Sequence, residues 1–344
     1  MSETAERNRQ ASESMHQGMD LAQEDSVQAL EEAVRRFDEA IALRRTLPLE
    51  ENPDFRYGLS AGLINRGDAL ARLGEGRVAE AIAAYDEALT LLKSLPLAEN
   101  SLFPRRLAIA WINRGVAQQG QGTSAGLADA AQSFREALEV LQRPYSSMIG
   151  DRRALLAGAW VNLAGALAGR DGAESVELRS AAAKAIELAR CPGHDDLAFA
   201  QMALRAYDAV CRAAVGELVE KRSLPVDAKA QALKAVDEGL ALAEHWKFST
   251  DLVGLAGEIL RFGCRLHEDG EPAALAQFLL KQLAPERFGG VAQLDPPTAE
   301  AMRAAIFRAL GKLQGGGFQQ VTNARLGDIE QLRKVEERLN ELHA

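Results

Sequence analysis

Asn65, Arg66 and Gly67 return 48 residues later as Asn113, Arg114 and Gly115, and 49 residues after that, altered, as Asn162, Leu163 and Ala164. A second series keeps the same step, because Pro48, Pro96, Pro144 and Pro192 fall at multiples of 48. Only helical signals lie between these marks. A chain built this way is expected to stack helical hairpins, each burying its apolar face against its neighbours. Such an architecture points to recognition more than to reaction.

Each unit divides into two helices. The second carries small, aromatic and small residues at i, i+4 and i+7, on one helical face: Ala33, Phe37 and Ala40, then Ala81, Tyr85 and Ala88, then Ala130, Phe134 and Ala137. It runs on as an amphipathic helix until its proline stops it. The stretches after Pro48 and Pro96 keep a local likeness, from Leu47, Leu49, Asn52 and Phe55 to Leu95, Leu97, Asn100 and Phe103. These connectors are long and expected to be exposed. The first helix carries the asparagine, with Gly67, Gly115 or Ala164 two residues behind it, where a small residue permits a tight helix crossing. The same register puts Gly18 in that slot and His16 in the asparagine slot of an opening unit.

These residues resemble the tetratricopeptide repeat family, whose pattern pairs an aromatic and a small residue on the first helix with Ala-x3-Phe on the second, closed by proline. The likeness covers roughly residues 5 to 192. It departs from the family in its pitch, 48 or 49 residues in place of 34, and in Arg66 and Arg114, which stand where the family has leucine. Beyond Pro192 the repeat weakens: Gly239, then Gly263 with Gly270, then Ala274 and Phe278 echo it. The resemblance implies an all-α fold, a right-handed α-solenoid of about five hairpins with a C-terminal helical cap. The units span about 5–48, 54–96, 104–144, 152–192 and a diverged 196–285, with capping helices in 286–344. In that tail Pro296 and Pro297 start one helix through Leu310, Gly315 to Gly317 break it, and a charged helix from about Leu326 to Leu342 follows.

The resemblance also implies a site. In tetratricopeptide superhelices the first helices line the concave surface, and asparagines at this position hold the main chain of an extended peptide. That role maps onto Asn65, Asn113 and Asn162, and an amide offers both acceptor and donors to a ligand peptide group. Gly158 and Gly165 leave room on the face of Asn162. The competing structural role is a bridge between adjacent helices inside the stack. Three such hydrogen bonds supply roughly 2–5 kcal/mol, whereas micromolar binding needs about 8, so side-chain pockets must contribute. Arg66 and Arg114 either reach a carboxylate of a neighbouring helix or stand as cations at the groove edge. Arg106 shares the face of Asn113, and Arg152 and Arg153 occupy a similar place in the next unit. Trp111 and Trp160 are expected inside their hairpins.

Composition narrows the partners. A net charge of -9 argues against nucleic acid, which demands clustered Lys and Arg. No run approaches the roughly 18 apolar residues of a membrane span, and the polar stretch Met1–Gln10 has no apolar sequel, so a cytoplasmic location is expected. Cys191, Cys211 and Cys264 fit neither a disulfide framework nor a zinc motif and are expected as small buried hydrophobes. The histidines at 16, 194, 245, 267 and 343 are scattered. His194 with Asp195 and Asp196 suits an acid-capped helix start. No metal, no cofactor and no catalytic constellation is expected. The expected function is a protein–protein adaptor, non-enzymatic, holding a peptide of another protein. The alternative is a self-associating assembly protein, for which Ile329, Leu332, Val335, Leu339 and Leu342 form a seam that either docks on the solenoid or pairs as a homodimer.

Overall fold

The computed structural model describes residues 3–24, 26–144, 152–170, 175–190, 196–246, 249–268, 271–283, 296–314 and 323–341. Every regular element among them is helical. Contacts divide the chain into two compact units, Met1–Arg170 and Asp171–Ala344. The division falls inside the fourth expected hairpin, while the expected boundary at 285/286 lies outside the described residues.

The first unit holds α1 (Glu3–Leu21), α2 (Val27–Arg45), α3 (Pro53–Arg72), α4 (Val78–Lys93), α5 (Leu102–Gln119), α6 (Ser124–Gln142) and α7 (Arg152–Ala168). Each helix packs on the next, and α3 also meets α5 as α5 meets α7. Helix starts follow from capping residues: Ser26 accepts from the Ala29 amide at 3.2 Å, and Thr123 from that of Gly126 at 3.0 Å. Asn52 caps α3 by accepting from the Asp54 amide at 2.8 Å, and Asn100, 48 residues on and just ahead of the Ser101 N-cap of α5, accepts from that of Leu102 at 2.9 Å.

The hairpins close on one contact. Phe37 and Tyr85 are each 1% exposed and Phe134 is 0%, and each ring abuts the glycine of its own hairpin. A Cβ added to Gly18 would stand 2.5 Å from Phe37, to Gly67 2.7 Å from Tyr85, and to Gly115 2.5 Å from Phe134. The small slot thus serves the aromatic directly. The connectors correct the expectation of exposure, because Leu47 and Leu95 are buried at 5% and 4% and fold back by bonds from their amides to Arg44 and Leu92 carbonyls. Only the tips, such as Glu50 and Glu99, are exposed. Trp111 and Trp160 are also corrected, since both are only half-buried; the Lys93 ammonium sits 4.5 Å over the Trp111 ring.

The second unit holds α8 (Val176–Ala189), α9 (Leu197–Lys221), α10 (Val226–His245), α11 (Thr250–His267), α12 (Pro272–Gln282), α13 (Pro296–Gln314) and α14 (Asn323–Glu341). Asp196 caps α9 by accepting from the Ala198 amide at 2.9 Å. Phe278 repeats the closing contact, 2.5 Å from a Cβ at Gly263. The seam of α14 is spent inside the chain: Leu332, Val335 and Leu339 are fully buried, and the helix packs on α12 and α13. Arg308 of α13 grips the buried Glu268 with bonds of 3.0 and 2.6 Å. Cys211 and Cys264 are buried, and burial pushes the Cys264 thiol up to about 12. Cys191, Pro192, His194, Gly270, Pro285, Gly315 to Gly317, Leu342 and His343 lie outside the described residues.

Candidate functional site

The asparagine face of α3 meets α1 and α5 around a pocket of about 510 Å³, inside the size range of ligand sites. Asn65, Arg106 and the exposed His16 line it together, and Met15, Tyr57 and Ile109 supply apolar wall. Arg44 reaches it from the end of α2. Two of the expected site residues, Asn65 and Arg106, converge in this pocket.

Asn113 stands differently. Its Nδ2 donates to Asp68 Oδ1 at 2.8 Å, the same oxygen that receives the Tyr85 hydroxyl at 2.6 Å. The amide is thereby engaged as a bridge from α5 to α3, the structural role that competed with a peptide rung. Asn65 and Asn162 are half-buried. Beside Asn162, a Cβ on Gly158 would meet nothing within 4 Å, while one on Gly165 would lie 3.5 Å from the Gln119 amide.

Arg66 and Arg114 each reach a carboxylate of a neighbouring helix. Arg66 Nε donates to Asp38 at 2.6 Å and Arg114 Nε to Asp86 at 2.7 Å, each from the first helix of one hairpin to the second helix of the hairpin before. Arg114 also donates to Ser133 Oγ at 2.8 Å. The third copy explains the pattern, because where the aspartate becomes Arg135 the arginine becomes Leu163, which is 1% exposed. Both members change together. Part-exposed pairs of this kind contribute roughly 0.2–1 kcal/mol each, so their value lies in registering adjacent hairpins. Arg152 is likewise engaged, its Nε donating to the Leu141 carbonyl at 2.8 Å.

Arg44, Tyr57 and Asp68 are site residues that motif reasoning missed. The signal was their departure from the repeat itself: Arg44 occupies the slot of Leu92 and Leu141, and Asp68 that of Met19 and Val116. Arg44 is 9% exposed and donates from Nη1 to the Gly58 carbonyl. Burial, then the neighbouring Arg106 charge, pulls its pKa below the usual arginine range. Arg106 lies 4.0 Å over the Tyr57 ring, and burial lowers its pKa too.

Burial pushes the Asp68 carboxyl above its ordinary value of 3.8, against the opposing pull of Tyr85, Asn113 and Arg72. Burial and the Asp68 charge raise the Tyr85 phenol well beyond its usual range, so it remains a donor. A carboxyl whose pKa rises on folding contributes most stability below its unfolded value and loses it as pH climbs through the folded one. Asp68→Asn keeps an acceptor and discards the buried charge. Urea unfolding is expected to find that variant at least as stable as the native protein at pH 7, with a flatter stability profile as pH rises above the ordinary carboxyl value of 3.8. Asp68→Ala strands the Tyr85 hydroxyl and is expected to lose about 1–3 kcal/mol; equal stability for both variants would contradict the network.

Among the described residues no group of His, Cys, Asp and Glu is arranged to hold a metal ion, and no helix is long and apolar enough to cross a membrane. No protein-family model matches the chain, and no curated protein matches it in sequence.

Proposed function

We propose that this chain is a non-enzymatic adaptor whose first-helix face, formed by α1, α3, α5 and α7, carries an extended segment of a partner protein. The observation behind this reading is the pocket between α1, α3 and α5, with Asn65 in its wall. The open surface at Gly158 next to Asn162 adds to it. In this proposal the hairpins are long-pitch relatives of the tetratricopeptide repeat, stacked as a right-handed α-solenoid with α13 and α14 as its cap. The rungs are Asn65 and Asn162; Asn113 supports them from behind by holding Asp68.

The test is photocrosslinking from position 61, on the pocket wall, followed by affinity measurement on the captured segment. A single lost hydrogen bond is worth about 0.5–1.5 kcal/mol, so Asn65→Ala and Asn162→Ala are each expected to weaken binding about 2- to 12-fold with circular dichroism unchanged. Unaltered affinity in both would remove the peptide ladder. Self-association through the α14 seam is the less favoured reading, because the buried Leu332, Val335 and Leu339 would first have to leave their sites.

A further inference from the structure

Arg44 is a charge where its own repeat keeps a core residue. Leu92 and Leu141, its counterparts, are both fully buried. The guanidinium is accommodated because Gly58 faces it: a Cβ there would stand 3.4 Å from the guanidinium carbon. In the next hairpin the Gly58 slot holds Arg106, which leans back over Tyr57 into the same pocket. Arg105 also lines it.

Arg44 and Arg106 differ from the arginines around them. Arg66, Arg114 and Arg45 each meet a carboxylate, Arg45 by bonds of 2.7 and 2.8 Å to Glu87. Among the described residues no carboxylate pairs with Arg44 or Arg106, although Asp and Glu outnumber Lys and Arg by 49 to 40. The Arg44 Nε is buried with no hydrogen-bond partner. Burying a guanidinium without a counter-charge is unfavourable, and placing two beside each other compounds it. An anion bridging them would relieve both, in the fork geometry that suits carboxylate and phosphate.

We propose that the pocket between α1, α3 and α5 binds an oxyanion, carboxylate or phosphate, carried on an apolar group. The charged end lies between Arg44 and Arg106, and the apolar body lies on Met15, Met19 and Ile109. Asp68, roughly 15 Å along α3 from Gly58 at 1.5 Å per residue, sets the orientation by repelling the anion from the far end. The site stands whether or not a peptide crosses this face.

Titration calorimetry on the full chain tests it with phenyl phosphate, phenylacetate, inorganic phosphate and phenol. Phenyl phosphate or phenylacetate is expected to bind at least tenfold more tightly than phenol and than inorganic phosphate, and more weakly as salt rises. The tighter of the two identifies the source as phosphoryl or carboxyl. Arg106→Gln and Arg44→Leu are each expected to weaken that binding at least tenfold with native circular dichroism. Binding of phenol as tight as that of the two acids, no binding of either acid, or equal affinity in native protein and the Arg106→Gln variant would overturn the proposal. None of these results bears on the crosslinked segment's dependence on Asn65, so the two readings fail separately.

Discussion

Gly115→Val is expected to destabilise the first unit by about 3 kcal/mol, at the upper end of overpacking costs. The new Cβ would stand 2.5 Å from Phe134, closer than real side chains approach, and Phe134 is 0% exposed, so the ring has no vacant direction to retreat. Gly115→Ala is expected to lose less, because alanine gains about 1 kcal/mol of helix propensity over glycine. Adding Phe134→Leu to Gly115→Val is expected to restore part of the loss. Gly158→Ala is the internal control: with nothing within 4 Å of its Cβ, it is expected to gain roughly 0.5–1 kcal/mol. Denaturant midpoints at unchanged slope measure all four. A neutral Gly115→Val would mean that the hairpins do not close on this contact.

Arg44→Leu is expected to act in the opposite direction, raising stability by about 1–4 kcal/mol, the range seen when a buried charge gives way to a fitted apolar residue. It restores the side chain that the repeat uses at Leu92 and Leu141 and removes a guanidinium with a stranded Nε. The bond to the Gly58 carbonyl is lost, which offsets roughly 0.5–1.5 kcal/mol. Thermal and urea unfolding check the sign. A large destabilisation would show that Arg44 is part of the core's support, whereas a gain marks a residue retained at the expense of stability, as functional positions often are.

The all-helical architecture was legible because the same helical face recurs with the same spacing, and recurrence is a strong signal where single helices are ambiguous. The closing contact was half legible: the small slot and the aromatic were both visible, but their direct apposition depends on a helix crossing that spacing does not contain. Arg66 and Arg114 were ambiguous for a definite reason. Their partners, Asp38 and Asp86, lie 28 residues earlier on another hairpin and become apparent only when the three copies are laid side by side through Arg135 and Leu163. The pocket was least legible, because a repeat-based reading seeks what recurs, whereas Arg44, Gly58 and Asp68 matter by failing to recur. The connectors misled because polar sequence around Leu47 and Leu95 hid two leucines that return to the core.

Two kinds of join run through the first unit. Gly18 with Phe37, Gly67 with Tyr85 and Gly115 with Phe134 each fasten one hairpin to itself. Asp38 with Arg66, Asp86 with Arg114 and Asp68 with Asn113 fasten one hairpin to the next. The first kind makes every hairpin a cassette that carries its own clasp, and the second acts as an address specifying which cassette can follow which. A change at a clasp is therefore answered within its own cassette, whereas a change at an address calls for an answering change on the neighbouring one.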